Sequence, residues 1–76
     1  MTSASTVDST IEVSINGTSI QLAATTTVAD LVAARGLAGK RIAVERNGEI
    51  VPRSRHAATR LALSDRIEIV VAVGGG

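Results

Sequence analysis

Ile11-Glu12-Val13-Ser14-Ile15-Asn16-Gly17-Thr18-Ser19-Ile20-Gln21-Leu22 is the stretch that decides the fold. Ile11, Val13 and Ile15 alternate with Glu12, Ser14 and Asn16, the period of a strand with one face buried. Asn-Gly is the strongest short hairpin signal, because both residues tolerate the positive φ of a tight turn. A two-residue turn at Asn16-Gly17 pairs Ile15 with Thr18, Val13 with Ile20 and Ile11 with Leu22. The apolar residues of both strands then share a face. A slip of one residue would turn the whole set outward, so pattern and turn specify the same register.

Moving outward, Thr27-Val28-Ala29-Asp30 has the spacing of a capping box and opens a helix. Val28, Leu31 and Val32 form its apolar face. Arg35 is expected in the last turn, with Gly36 as the stop. About eight residues of helix are too short to stand alone and need a sheet to pack on. Ile42-Ala43-Val44-Glu45-Arg46 reads as a third strand. A second Asn-Gly turn, Asn47-Gly48, pairs Arg46 with Glu49 and Val44 with Val51. Pro52 lacks an N–H donor and ends that run or places it at an edge.

Residues 53–60 read as a polar, irregular loop, after which Leu61 and Leu63 return to the core. Ser64-Asp65-Arg66 turns into Ile67-Glu68-Ile69-Val70-Val71-Ala72-Val73. This run is the most apolar of the strands and is therefore expected at the sheet's centre. Ile67, Ile69, Val71 and Val73 form one face, with Glu68, Val70 and Ala72 on the other. The order predicts an α+β fold, a mixed sheet of about five strands with one helix across one face. A β-grasp arrangement fits that order and length. The expected core is Val13, Ile15, Ile20, Leu22, Leu31, Val44, Leu61, Ile67 and Ile69. Residues 1–10, rich in Ser and Thr, read as a disordered arm. Residues 11–73 form the domain, and Gly74-Gly75-Gly76 a flexible tail.

The tail is the feature that the fold does not absorb. Glycine usually punctuates the space between elements, yet no further element follows. Three residues without side chains extend roughly 10 Å and can enter a narrow site on another protein. The alternative is an idle terminus.

Bulk properties exclude several functions. A chain of 76 residues buries only about 60% of its unfolded surface and has no room for a deep catalytic cleft. Its 21 Ile, Val and Leu residues are enough for a modest core. Eight basic and seven acidic residues give a net charge of +1, which lacks the dense positive surface that nucleic acid requires. No Phe, Tyr or Trp is present to stack on single-stranded bases. Without cysteine there is no disulfide, thiolate nucleophile or Cys-based metal site. The leader lacks the apolar core of a signal peptide, and no apolar run is long enough for a membrane span. The expected location is therefore the cytoplasm.

Nothing in the pattern resembles an active site. His56 is the single histidine and is expected as a surface residue without catalytic duty. Glu45, Glu49 and Glu68 read as solvated strand charges. Gly36 and Gly39 lack the Gly-Lys-Ser/Thr ending of a phosphate loop. Arg53-Ser54-Arg55 is either a small docking patch or, as we favour, a solvated loop. Val70 and Ala72 lie on the sheet face expected to lack a covering helix, where exposed apolar area beside a tail suits partner docking.

The segment Ile42-Ala43-Val44-Glu45-Arg46-Asn47-Gly48-Glu49-Ile50-Val51-Pro52-Arg53-Ser54 resembles the central stretch of the ThiS family, the sulfur carriers of thiamine biosynthesis. Leu63-Ser64-Asp65-Arg66-Ile67-Glu68-Ile69 is similar to a later stretch of that family. The opening strand with its Asn-Gly and the glycine ending match as well, so the likeness covers residues 11–76. It departs at position 56, often aromatic in the family and His56 here, and in the longer leader.

The resemblance implies a non-enzymatic, ubiquitin-like carrier. An ATP-dependent adenylating (E1-like) enzyme would convert the carboxylate of Gly76 to an acyl-adenylate. A sulfur donor would replace the adenylate to leave a thiocarboxylate, and thiazole synthase would receive the sulfur. Gly74 and Gly75 would thread the partner sites, and Val70 and Ala72 would help dock the activating enzyme. ATP and Mg²⁺ would belong to that enzyme, so no cofactor is expected on this chain, which would be a monomer when free. A related reading is a carrier for molybdopterin synthesis. Another, from a different class, is a ubiquitin-like modifier joined to lysines, and a further one is a structural binding domain with an idle tail.

Overall fold

The computed structural model describes residues 9–72. Expectations for residues 1–8 and for Val73 to Gly76 fall outside the described residues. The elements are β1 (Thr10–Ile15), β2 (Thr18–Ala23), α1 (Val28–Ala34), β3 (Ile42–Arg46), β4 (Glu49–Val51), a 3₁₀ helix (Arg53–Ala58) and β5 (Arg66–Val71). Together the strands make one sheet of order β2-β1-β5-β3-β4. β1 and β5 are parallel, and every other neighbouring pair is antiparallel.

Both hairpins have the register that their turns dictate. Val13 faces Ile20 and Ile11 faces Leu22 in the first. Val44 faces Val51 and Arg46 faces Glu49 in the second. Asn16 and Gly17 have φ of 51° and 88°, and Asn47 and Gly48 have 53° and 88°. Positive φ at both central residues is the type I′ requirement, whose twist matches that of the flanking strands.

The two turns also lock the central strand from either side. The Asn16 side-chain oxygen accepts the Ile69 N–H at 2.8 Å, and its amide nitrogen donates to the Ile69 carbonyl at 3.3 Å. Across the strand, the Asn47 oxygen accepts the Arg66 N–H at 2.8 Å. The backbone N–H of Asn47 donates to the Arg66 carbonyl at 2.7 Å. Each asparagine thus sets its turn and extends a ladder onto β5.

Helix α1 is tied at both ends. Thr27 Oγ1 accepts the Asp30 N–H at 3.1 Å, and Asp30 Oδ2 accepts the Thr27 N–H at 3.1 Å, which completes the capping box. Arg35 is the C-cap, so it lies just beyond the last turn in which it was expected. Gly36 follows at φ 73°. The Gly36 N–H bonds the Ala33 carbonyl and the Leu37 N–H bonds the Val32 carbonyl, the paired bonds of a Schellman stop.

The core comprises Val13, Ile15, Val28, Leu31, Val32, Val44, Val51, Leu61, Ile67 and Ile69. Ile20 and Leu22, expected inside, are partly buried. They lie on edge strand β2, and a seven-residue helix, about 10 Å long, cannot cover a five-stranded sheet. Leu63, also expected inside, is 66% exposed. The Asp65 N–H bonds the Ala62 carbonyl, which makes residues 62–65 a turn with Leu63 at its corner. Ser64, the next corner, has φ 71°, the positive φ of a type II turn.

Residues 53–60 are not wholly irregular. The 3₁₀ helix Arg53–Ala58 starts after Pro52, whose φ of −60° suits a helix entry. It carries His56 inward. The expectation of a surface histidine is therefore corrected: His56 is buried, with Nε2 at 3.1 Å from the Val51 carbonyl oxygen.

Candidate functional site

The region of interest is the end of β5, where the chain leaves the sheet. Val71 pairs with Ile42 at the start of β3, and the Ala72 N–H bonds the Arg41 carbonyl at 2.9 Å. The departing backbone is thus held by the α1–β3 connection. Beside it, Arg53 Nη2 donates to the Lys40 carbonyl at 2.6 Å, which links the 3₁₀ helix to the same connection. Lys40, Arg41 and Arg53, from two segments far apart in sequence, therefore stand at the root of the tail. Arg53 was read as part of a solvated loop. It is exposed but held in place. No local signal in Arg53-Ser54-Arg55 points to that contact, because its acceptor lies 13 residues away.

Two faces flank this exit. On the open face of the sheet, Val70 pairs with Ala43 and is 62% exposed. Ala72 is exposed just beyond. Ile50, opposite Glu45 on the same face, is 60% exposed. Glu45 and Glu68 face each other directly across β3 and β5. On the helix side, a pocket of about 270 Å³ is lined by Val32, Leu37 and Ile42, with Lys40, Arg53 and His56 around them.

At the opposite end of the sheet a polar cluster gathers around buried Asp65. Asp65 accepts from Arg46 Nε at 2.8 Å, from Asn47 Nδ2 at 2.9 Å and from the Ala62 N–H at 2.8 Å. Burial alone would push its carboxyl up. The bonds from Asn47, Ala62 and Arg46 together outweigh that and hold it below the ordinary value of 3.8. Both carboxylate oxygens accept bonds from the neighbouring turns, so the cluster is structural. Among the described residues, no three His, Cys, Asp or Glu side chains gather as a metal ion would require. None of their helices is long and apolar enough to cross a membrane.

A parallel β1–β5 core strand pair, flanked by two hairpins and crossed by one helix, is the ubiquitin-like β-grasp architecture, and the chain is a protein of that class. The profile of the ThiS family matches residues 11–76, and the chain belongs to that family. It is 46% identical over 52 residues to the sulfur carrier protein ThiS of Bacillus subtilis, an alignment covering 68% of this chain and 79% of that one. It is 42% identical over 62 residues to a thiazole synthase of Paramagnetospirillum magneticum. That alignment covers 82% of this chain but 19% of the synthase, so the chain spans about a fifth of that relative. A thiazole synthase of Magnetococcus marinus is 36% identical over 66 residues, again across a fifth of its length. The crystal structure of a thiamine biosynthesis protein (ThiS) from Geobacter metallireducens superposes with a TM-score of 0.73 at 29% identity. The match covers 87% of this chain and all of that one.

Proposed function

We propose that this chain is a sulfur carrier of thiamine biosynthesis, acting in the cytoplasm as a monomer and co-substrate rather than as an enzyme. The observation that carries the reading is the family match through the final glycines, residues 11–76, on a fold whose central strand is the last element described. A carboxylate is a poor electrophile. In the proposed cycle the Gly76 carboxylate attacks the α-phosphate of ATP on an E1-like enzyme and expels pyrophosphate. A sulfur nucleophile then displaces AMP, leaving a thiocarboxylate on Gly76. Thiazole synthase takes the sulfur, and an oxygen from its acceptor substrate or from water replaces it to restore the carboxylate. Gly74 and Gly75 let the tail pass through a slot too narrow for side chains.

Recognition by the activating enzyme falls to the open sheet face at the tail's root. Val70 and Ala72 supply apolar area there without contributing to the core. Val70→Glu is expected to shift folding stability by no more than about 0.5 kcal/mol, as surface changes usually do. It should weaken binding to the adenylating enzyme. Equal affinity of variant and parent in a titration removes this face from the interface.

Intact-mass analysis of the protein from its native cell tests the reading as a whole. Exchange of one oxygen for sulfur at the terminus supports a carrier. Species joined through isopeptide bonds would instead make it a modifier.

A further inference from the structure

We infer that the helix-side pocket at the tail's root is a second recognition site, which accepts an apolar side chain flanked by a carboxylate on thiazole synthase. The inference rests on the carrier reading above.

Three observations point to this occupant. The first is size and lining. About 270 Å³ floored by Val32, Leu37 and Ile42 lies below the ~300–1,000 Å³ typical of sites for whole small molecules. It suits one inserted side chain. The second is charge. Lys40 and Arg53 stand at its rim, and among the described residues no Asp or Glu lines it. Arg53 spends one donor on the Lys40 carbonyl, which holds the remaining guanidinium face in position for an anion. The third is place. Ile42 is both a wall of the pocket and the partner of Val71. Four residues can reach at most about 13–14 Å when fully extended, so an enzyme gripping the pocket near Ala72 is within reach of Gly76.

The synthase is favoured over the activating enzyme because the open face and the pocket lie on opposite sides of the sheet. Val70 projects to the side away from the helix, whereas Ile42 and Val32 pack on the helix side. Two enzymes that use the same tail in turn can then be recognised separately. In two relatives named thiazole synthase, a segment like this chain is part of the synthase polypeptide itself. A contact between this fold and a synthase surface is therefore the expected setting for such a segment.

The test uses the full chain, its cognate thiazole synthase and its cognate activating enzyme. Ala57→Phe places a ring in the pocket from the exposed 3₁₀ helix, and Lys40→Glu reverses a rim charge. Amide NMR spectra establish that both variants fold. By calorimetric titration each should bind the synthase about tenfold more weakly, the scale of a lost anchor contact. The Lys40→Glu deficit should shrink with added salt and the Ala57→Phe deficit should not. KM for adenylation should follow the parent. Unchanged affinity for the synthase overturns the proposal, as does an equal loss toward both enzymes. A parent chain that is adenylated yet binds no synthase also overturns it while leaving activation intact. A parent chain that is not adenylated removes the carrier reading first.

Discussion

Asp65 shows how much one residue can organise in a chain of this size. Its carboxylate is 5% exposed and closes the turn into the central strand through three donors. Because its folded pKa lies below the ordinary 3.8, the charged form is the one that folding favours. Its contribution is therefore complete above that value and is lost as pH falls through the lower folded value. Asp65→Asn should cost about 1.5–3 kcal/mol at pH 7, the range for hydrogen bonds to a charged group. The gap between variant and parent in urea midpoints should narrow below about pH 4. A gap that stays constant down to pH 2 would show that ionisation plays no part. Its neighbour Ser64 carries a different cost. A non-glycine residue at φ 71° sits in the left-handed region, which disfavours a Cβ by about 1–2 kcal/mol. Ser64→Gly gives part of that back to unfolded-chain entropy, so a gain of about 0.5–1 kcal/mol is expected. A thermal midpoint at or below the parent's would show that Ser64 is not strained.

At the scale of elements, β5 is the organising piece. Its neighbours β1 and β3 come from separate hairpins, and each sends a turn asparagine to its backbone. Ile67 and Ile69 fill the space beneath α1. Ile69→Ala removes a buried side chain at the sheet's centre and should cost about 2–5 kcal/mol. An unchanged denaturant midpoint would remove Ile69 from the core. Much of this was legible in the sequence because several signals agreed. In Ile11–Leu22 the alternation, the Asn-Gly turn and the pairing each gave one register, and Thr27–Asp30 announced the helix in the same way. The missed features had no local signature. A 3₁₀ helix over residues 53–58 has little periodicity to detect. His56, surrounded by arginines, carries no sign that Val51 will supply an acceptor. Leu63 continued an apparent alternation that the Ala62–Asp65 turn interrupts. The asparagine clamps were half visible: the turns were evident, but side-chain bonds to a strand 53 residues from Asn16 and 19 from Asn47 were not.

At the scale of the whole molecule, the proposed chemistry sits on Gly76, a residue with no side chain to bring to the core. Stability and activation should therefore separate. Glycine has the most conformational freedom to lose and no side chain for a partner to hold. A partner that orders the tail must offset about 1–2 kcal/mol per residue. Backbone hydrogen bonds and capture of the terminal carboxylate can supply that. Deleting Gly76 moves the carboxylate away from the site of adenylation, and Gly75→Val blocks its path. Neither change touches the core, whose buried members run from Val13 to Ile69. Both variants should melt at the parent's temperature and yet release no pyrophosphate when mixed with ATP and the cognate activating enzyme. A Gly76 deletion that turns over normally would mean that the glycine end is not the reacting group. The carrier assignment would fall with it, whatever the fold's likeness to its relatives.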